Sequence, residues 1–337
     1  MMREEACAAA QCVSTHIQAN EGRYAELGRL LHVHPPTCAV TIARGSSDHA
    51  ASYFSYMSAV RGGHVVASLP MSLLTLYGAP IKAQGMFAVA ISQSGRSPDL
   101  SGPIATFREG GGTTIALVND VASPLVEAAE WHVPLLAGAE RSVAATKSFI
   151  CSLVAGASLA AAWSRDDELA RSMRSLPESL EAACAMDWSA GIEVLEHAER
   201  IMVIGRGTGL AIAQEAALKF KETCAIQAEA FSGAEVKHGP MALVDEGYPM
   251  LVFAPRGPAQ EGLLALAKEM RARGARVLLA APADVAEREL TLATTATPDL
   301  DPVAAIQSFY LMVESLALAR GRDPDKPKHL SKVTSTL

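Results

Sequence analysis

The sequence predicts an α/β protein made of two doubly wound domains in tandem, each built on a parallel sheet. Three observations predict it. Short apolar runs such as "FAVAIS" (87–92) and "MLVFAP" (250–255) do not alternate with polar residues, as expected of strands covered on both faces. Helical patterns separate these runs, at Pro98–Glu109 in the first half and Gln260–Arg273 in the second, which reads as βαβ units. The pattern also recurs. "CAVTIARGSSDHAASYFSYMSA" from Cys38 and "RIMVIGRGTGLAIAQEAALKFKE" from Arg200 each run from apolar strand through Arg-Gly into an Ala-rich helix. Aligning Gly45 with Gly207 sets an offset of about 162 residues, the scale of a duplicated domain and not of a solenoid repeat.

The elements follow in order. Residues 1–37 form a helical segment ahead of the first domain, 38–165. The same offset brings "TTIALVND" (113–120) near "RVLLAAP" (276–282), a further strand in each copy. The Ala-rich stretch Ile150–Trp163 is broken by serines and reads as a buried helix. A helical linker, 166–197, leads to the second domain, 198–320. The tail, 321–337, interleaves prolines with lysines in "DPDKPKHLSK" and reads as a loop.

Composition narrows the function. Half of the 337 residues are hydrophobic and 19% are charged, enough apolar matter for two cores. A formal charge of −7 with scattered basic residues speaks against a nucleic-acid partner. A small anion remains compatible, because a helix N-terminus binds phosphate without net positive charge. Six cysteines without a CxxC pair read as free thiols of a reducing compartment. Arg3, Glu4 and Glu5 open a mixed stretch unlike a signal peptide. No apolar run approaches the roughly 18 residues of a membrane span. A cytoplasmic protein with no membrane contact is expected. His32, His34, His64 and His132 lack metal-like spacing, and no metal site is expected.

The loop after "FAVAIS" concentrates hydroxyls: Ser92, Gln93, Ser94, Gly95 and Ser97 precede Pro98-Asp99. Ser97 is placed as an N-cap, with Pro98 at the first helical position. Gly95 permits close backbone approach. Ligands of open α/β sheets sit beyond the carboxyl ends of strands, so the loop offers a phosphate cup. It is not a Walker loop. A plain capped turn explains this stretch alone equally well. Ser46 and Ser47, a second hydroxyl pair after the preceding strand, favour the cup. The second domain has "APRGPAQ" at this place, so one cup per chain is expected.

Glu215, Lys219 and Glu222 lie on one helical stripe. On residues alone, a solvated face with an i,i+4 ion pair is the stronger reading of "EAALK".

Three motifs then carry a resemblance over nearly the whole chain. "ISQSGRSPD" resembles the phosphate loop of SIS (sugar isomerase) domains, whose fold is flavodoxin-like. "EAALKFKE" with "QAEAFSGAEVKHGP" is similar to the isomerase half of glucosamine-6-phosphate synthases, and "DKPKHLSKVTSTL" resembles their carboxyl tail. About 35 residues precede the first sheet, too few for a glutaminase domain. Gln227 stands where synthases usually have His, and the ending "KVTSTL" also differs. These features resemble SIS-type glucosamine-6-phosphate deaminases.

The resemblance implies the following roles. Glu222 moves a proton between C2 and C1, work a carboxylate can do without cofactor or metal. Glu215 and Lys219 support it. His238 opens the sugar ring from across a homodimer interface that completes a shared active site. Lys332 closes over C1–C2 as a lid element. Val143, Ala144 and Ala145, within "RSVAATKSF", offer backbone groups to sugar hydroxyls. The expected activity is deamination of glucosamine 6-phosphate to fructose 6-phosphate and ammonia. A sugar-phosphate isomerase, a synthase-like transferase using free ammonia, a deglycase of a related sugar phosphate and a non-enzymatic sugar-phosphate sensor are the alternatives. A sensor would need a DNA-binding module that residues 1–35 lack, and has no use for Glu222 together with Lys332.

Overall fold

The structure is a computed structural model that describes residues 1–332. Residues 333–337, the end of the expected tail, lie outside the described residues. The chain divides into two compact units that do not follow it in series. One, the first-sheet unit, contains Gln11–Glu140 and Lys147–Arg174, joined by Ser331 and Lys332. The other, the second-sheet unit, contains Met1–Ala10, Arg141–Thr146 and Ser175–Leu330. The expected spans 38–165 and 198–320 follow the chain in series, and the two units group some of their residues differently. Residues 141–146 leave the 38–165 span for the second-sheet unit, and the linker 166–197 is divided after Arg174.

The first sheet contains β1 (Cys38–Ile42), β2 (Val66–Ser68), β3 (Met86–Ser92), β4 (Thr113–Val118) and β5 (Trp131–Pro134) in the order β2-β1-β3-β4-β5, all parallel. The second contains β6 (Arg200–Gly205), β7 (Gln227–Ser232), β8 (Pro249–Phe253), β9 (Arg276–Ala281) and β10 (Leu290–Thr291) in the order β10-β9-β8-β6-β7. Numbered within each half, both sheets read 2-1-3-4-5. The central strands are buried along almost their whole length, which is why their sequences are continuous apolar runs and not alternating ones. In this strand order the connections reverse direction between the first and third strands, and a crevice opens at their carboxyl ends.

Helix Ser46–Gly62 follows β1 and packs on helix Lys147–Ser164, where Gly156 lets the two approach. A Cβ on Gly156 would lie 3.0 Å from Phe54 Cβ. The expected helices are present as Pro98–Glu109 and Gln260–Ala272. In the second-sheet unit, helices Gly209–Cys224 and Asp301–Ala319 meet through the edge-to-face pair Phe220–Phe309, and Phe309 packs in turn on Phe253 of β8. The sequence expectation of no membrane-length apolar run needs qualifying. Lys147–Ser164 and Pro298–Ala319 are long and apolar enough to span a bilayer by length and composition. They are 89% and 78% buried by protein, the position of core helices.

His16 is fully buried in the first-sheet unit. Its Nδ1 lies 3.1 Å from the Leu135 carbonyl and its Nε2 2.8 Å from the Tyr24 hydroxyl. This arrangement suits a neutral ring that donates from Nδ1 and accepts from the tyrosine at Nε2. Burial, opposed by the Leu135 and Pro134 carbonyls, pushes its pKa from 6.5 down to about 4. Burial also raises the Tyr24 pKa, so the phenol keeps its proton. The unfolded chain thus takes up a proton near pH 6.5, whereas the folded chain resists until near pH 4. Stability from this site is complete above about pH 6.5 and declines as the pH falls toward 4. Lowering the pH from about 7 to about 5 is expected to cost about 2 kcal/mol through His16 alone. Urea denaturation of His16→Gln should show a pH dependence smaller by that amount, and an unchanged dependence would contradict the assignment.

Candidate active site

The two hydroxyl turns leave β1 and β3. These strands are neighbours, with Ile42 paired to Ala90, so the turns flank the crevice of the first sheet. Gly45 takes φ 55° and stands as N-cap of helix Ser46–Gly62, placing Ser46 and Ser47 in the first turn. In the second loop Ser92 Oγ accepts from Gly95 N at 3.0 Å, and Ser94 Oγ accepts from Arg96 N at 3.3 Å. The loop also ties to the chain after β4, through Asn119 N to the Ser92 carbonyl (3.4 Å) and Asp120 N to the Gln93 carbonyl (3.3 Å). Gly95 has φ 62°, and a Cβ there would fall 2.1 Å from Ser123 Oγ. Only glycine fits that position. Ser97 is the N-cap with Pro98 after it, as expected, but its hydroxyl makes no capping bond to the helix.

Two arginines that sequence reasoning missed stand in these loops. Arg44 Nε donates to Asp99 Oδ2 at 2.6 Å, and Arg96 Nη2 donates to Asp120 Oδ2 at 2.6 Å. Asp99 is buried in the first turn of helix Pro98–Glu109, where a carboxylate also complements the helix dipole. Arg96 holds the Asp120 carboxyl below its ordinary range, helped by the Ala122 N–H. Burial holds the half-buried Asp48 carboxyl above its ordinary range, against the opposing pull of His49, Ser68 and Arg44.

The charged stripe lies in the second-sheet unit on helix Gly209–Cys224. It is not a solvated face. The side chains of Glu215 and Lys219 are 0% and 1% exposed. Lys219 Nζ lies 3.3 Å from Glu215 Oε1 and 2.5 Å from Glu222 Oε2. Tyr310, from helix Asp301–Ala319, donates its hydroxyl to Glu215 Oε1 at 3.2 Å. Burial works to lower the Lys219 pKa, but the charges of Glu215 and Glu222 outweigh it and hold the value above the ordinary 10.5. Lys219 is therefore an ammonium at any working pH. Glu222 is the member that reaches the surface, with 21% of its side chain exposed. The signal for Tyr310 was a lone phenol in an apolar helix, which needs a buried partner.

The remaining expected residues are placed as follows. His238 ends a 3-10 turn, Glu235–His238, before Gly239 at φ 145°. It is exposed, and it has no hydrogen bond or ion pair among the described residues. The backbone N–H of Val143 donates to the Asp325 carbonyl at 3.2 Å. That donor is engaged within the protein, and the Val143 carbonyl is the other backbone group of the expected contact. Ala144 is buried and Ala145 half-buried. Lys332 is not a solvated terminal lysine. Its Nζ donates to Glu140 Oε2 at 2.9 Å, and Glu140 is fully buried while accepting from Ser148 N and Ser148 Oγ. Glu140 too was missed, since an isolated acid has no local pattern. Among the described residues no group of three or more His, Cys, Asp or Glu side chains is arranged to hold a metal ion.

With this geometry in hand, the family model of the SIS domain matches residues 37–162 and again 194–319. The chain belongs to the SIS domain family. Each matched span contains one of the two 2-1-3-4-5 sheets. The chain is 33% identical over 273 residues to the glutamine–fructose-6-phosphate aminotransferase (isomerizing) of Zymomonas mobilis, covering 76% of this chain and 45% of that protein. It spans about half the length of the curated relatives it matches. A crystal structure from Silicibacter pomeroyi, named as a candidate phosphosugar isomerase, is 39% identical with a TM-score of 0.91 and covers 96% of this chain and 99% of that one. Glucosamine-6-phosphate deaminase from Thermotoga maritima shares the fold, at 21% identity and a TM-score of 0.73, with 96% of this chain and 100% of that one covered. An enzyme of the sugar-phosphate isomerase kind is the common ground of these SIS relatives.

A buried ion pair leaves one prediction. Lys219→Met strands the buried Glu215 carboxylate and should cost about 3–5 kcal/mol in urea denaturation. Adding Glu215→Gln to it should recover much of that loss. A solvated pair would lose well under about 1 kcal/mol, and that result would remove the buried pair from the account.

Proposed function

We propose that this SIS protein converts an amino-sugar phosphate, glucosamine 6-phosphate, and water to fructose 6-phosphate and ammonia. The observation that carries the reading is Glu222, a surface-reaching carboxylate fixed at 2.5 Å by an ammonium that is itself fully buried. A base held this way need not reorganise during proton transfer. Ser46, Ser47, Ser92, Gln93, Ser94 and Ser97 take the phosphate. His238 moves a proton between the C1 hydroxyl and the ring oxygen to open the sugar. Glu222 removes the C2 proton, leaving an enolamine, and returns a proton to C1. The resulting C2 imine takes up water and loses ammonia. Glu215 and Lys219 orient Glu222 throughout. Lys332 and the loop of Val143, Ala144 and Ala145 border the sugar. The protein acts as a homodimer, and the exposed, unpartnered position of His238 among the described residues supports its use by a second subunit.

A second reading is simple aldose–ketose isomerisation without loss of ammonia. The 39% identity to the Silicibacter pomeroyi protein over nearly the whole of both chains favours it. Both readings use the same proton transfer and differ only in the C2 substituent.

The test is incubation of the purified protein with glucosamine 6-phosphate, its C4 epimer and the unaminated hexose phosphates, with ammonia and ketose phosphate measured. Ammonia and fructose 6-phosphate in equal amounts from glucosamine 6-phosphate are expected. Isomerisation of only unaminated sugars would transfer the case to the second reading. His238→Ala and Glu222→Gln should each be nearly inactive. Mixed with subunit exchange, they should recover about a quarter of wild-type activity, because about half the dimers are mixed and each carries one intact site. No recovery despite exchange would mean that His238 acts within its own chain or not at all.

A further inference from the structure

We infer that Arg44 is a ligand of the substrate phosphate and the strut that keeps the two hydroxyl turns in register. The inference rests on the phosphate reading of the cup. Arg44 lies between β1 and the Gly45-Ser46-Ser47 turn, while Asp99 lies just beyond the serine loop that follows β3. Their 2.6 Å bond therefore crosses the crevice between the two strands.

The bond is asymmetric. The Asp99 side chain is 1% exposed, and that of Arg44 is 51% exposed. Only Nε of the guanidinium is committed. Its Nη groups have no hydrogen bond or ion pair among the described residues. A buried acid thus grips one edge of a planar fork and leaves the other edge open at the mouth of the cup. Two parallel N–H donors in a fixed plane match two phosphate oxygens, a geometry that lysine cannot offer. Tethering the fork before substrate arrives reduces the ordering cost of binding. Asp48, in the first turn of helix Ser46–Gly62, lies within electrostatic reach of Arg44, so the cation also offsets part of that acid's charge.

The duplicated half provides a contrast. Arg206 occupies the place of Arg44 at the aligned turn, yet its side chain has no ion pair among the described residues. The second crevice does hold a gripped arginine, Arg256, but its Nε and Nη2 are both spent on Asp301 and Nη2 also reaches the Thr295 carbonyl. Among the described residues, Arg256 thus commits two of its three nitrogens, whereas Arg44 commits one and leaves both Nη groups open. Arg96 is built differently again, since its partner Asp120 is at the surface.

Calorimetric titration with inorganic phosphate tests the inference apart from catalysis. Arg44→Met should weaken phosphate binding about tenfold or more, the usual loss when hydrogen bonds to a charged group go. Arg44→Lys keeps a cation near Asp99 but loses the fork, and should bind phosphate several-fold more weakly than wild type. With sugar phosphate as substrate, both variants should raise KM far more than they lower kcat. A purely structural arginine would not produce that split. Wild-type phosphate affinity in folded Arg44→Met overturns the inference. If that variant does not fold, wild-type affinity in Arg44→Lys overturns it instead. Absence of phosphate binding by the wild-type protein overturns it as well. Arginine-dependent phosphate binding without ammonia or ketose production leaves Arg44 in place and rejects only the proposed reaction.

Discussion

Lys219 is an ammonium placed where water cannot reach it, and the second-sheet unit is built around satisfying it. Removing such a charge from water costs several kcal/mol even after relaxation. The arrangement stands because Glu215 and Glu222 both contact the ammonium and Tyr310 donates to Glu215. Those partners lie on two helices, so the ion cluster fixes how Gly209–Cys224 and Asp301–Ala319 meet. The aromatic contacts Phe220–Phe309 and Phe253–Phe309 extend that seam to the sheet. The outcome for chemistry is that Glu222, at the end of the chain of contacts, is held by a rigid partner. An apolar core at the same position would be no less stable. What the buried charge adds is a carboxylate with a defined place.

The topology supplies the other half of the account. Both sheets have the 2-1-3-4-5 order, and both therefore have a crevice beyond their first and third strands. The two crevices have diverged in what lines them. The first has Ser46, Ser47, Ser92, Ser94 and an arginine with open donors; the second has Arg256 closed onto Asp301. Duplication preserved the scaffold and left the loops to differ, as is usual where function sits on loops carried by a rigid sheet.

Much of this was legible in the sequence, for local reasons. Continuous apolar runs gave away parallel strands, and Ser97-Pro98 marked a helix start that is found at Pro98. The duplication was visible as a repeated Arg-Gly turn. The charge stripe was misleading when read locally, because i,i+4 spacing is the same whether a helix face is wet or buried. Only the packing of helix Asp301–Ala319 against it decides, and that contact joins Tyr310 to a residue 95 positions earlier. Arg44 with Asp99 and Lys332 with Glu140 are separated by 55 and 192 residues, and nothing in the neighbourhood of either residue announces its partner. The assignment of 141–146 to the second-sheet unit was hidden for the same reason. Its anchors, Glu5 to Arg141 N and Ser142 N and Asp325 to Val143 N, come from both ends of the chain.

The central claim is that Glu222 carries the proton of C2. Glucosamine 6-phosphate deuterated at C2 tests it most directly, with the label followed by NMR during turnover. The account predicts that wild-type protein removes the C2 deuterium, either passing it to C1 or losing it to water. Glu222→Gln should bind the same substrate and leave the C2 label in place. Removal of the C2 deuterium by Glu222→Gln at the wild-type rate would contradict the account.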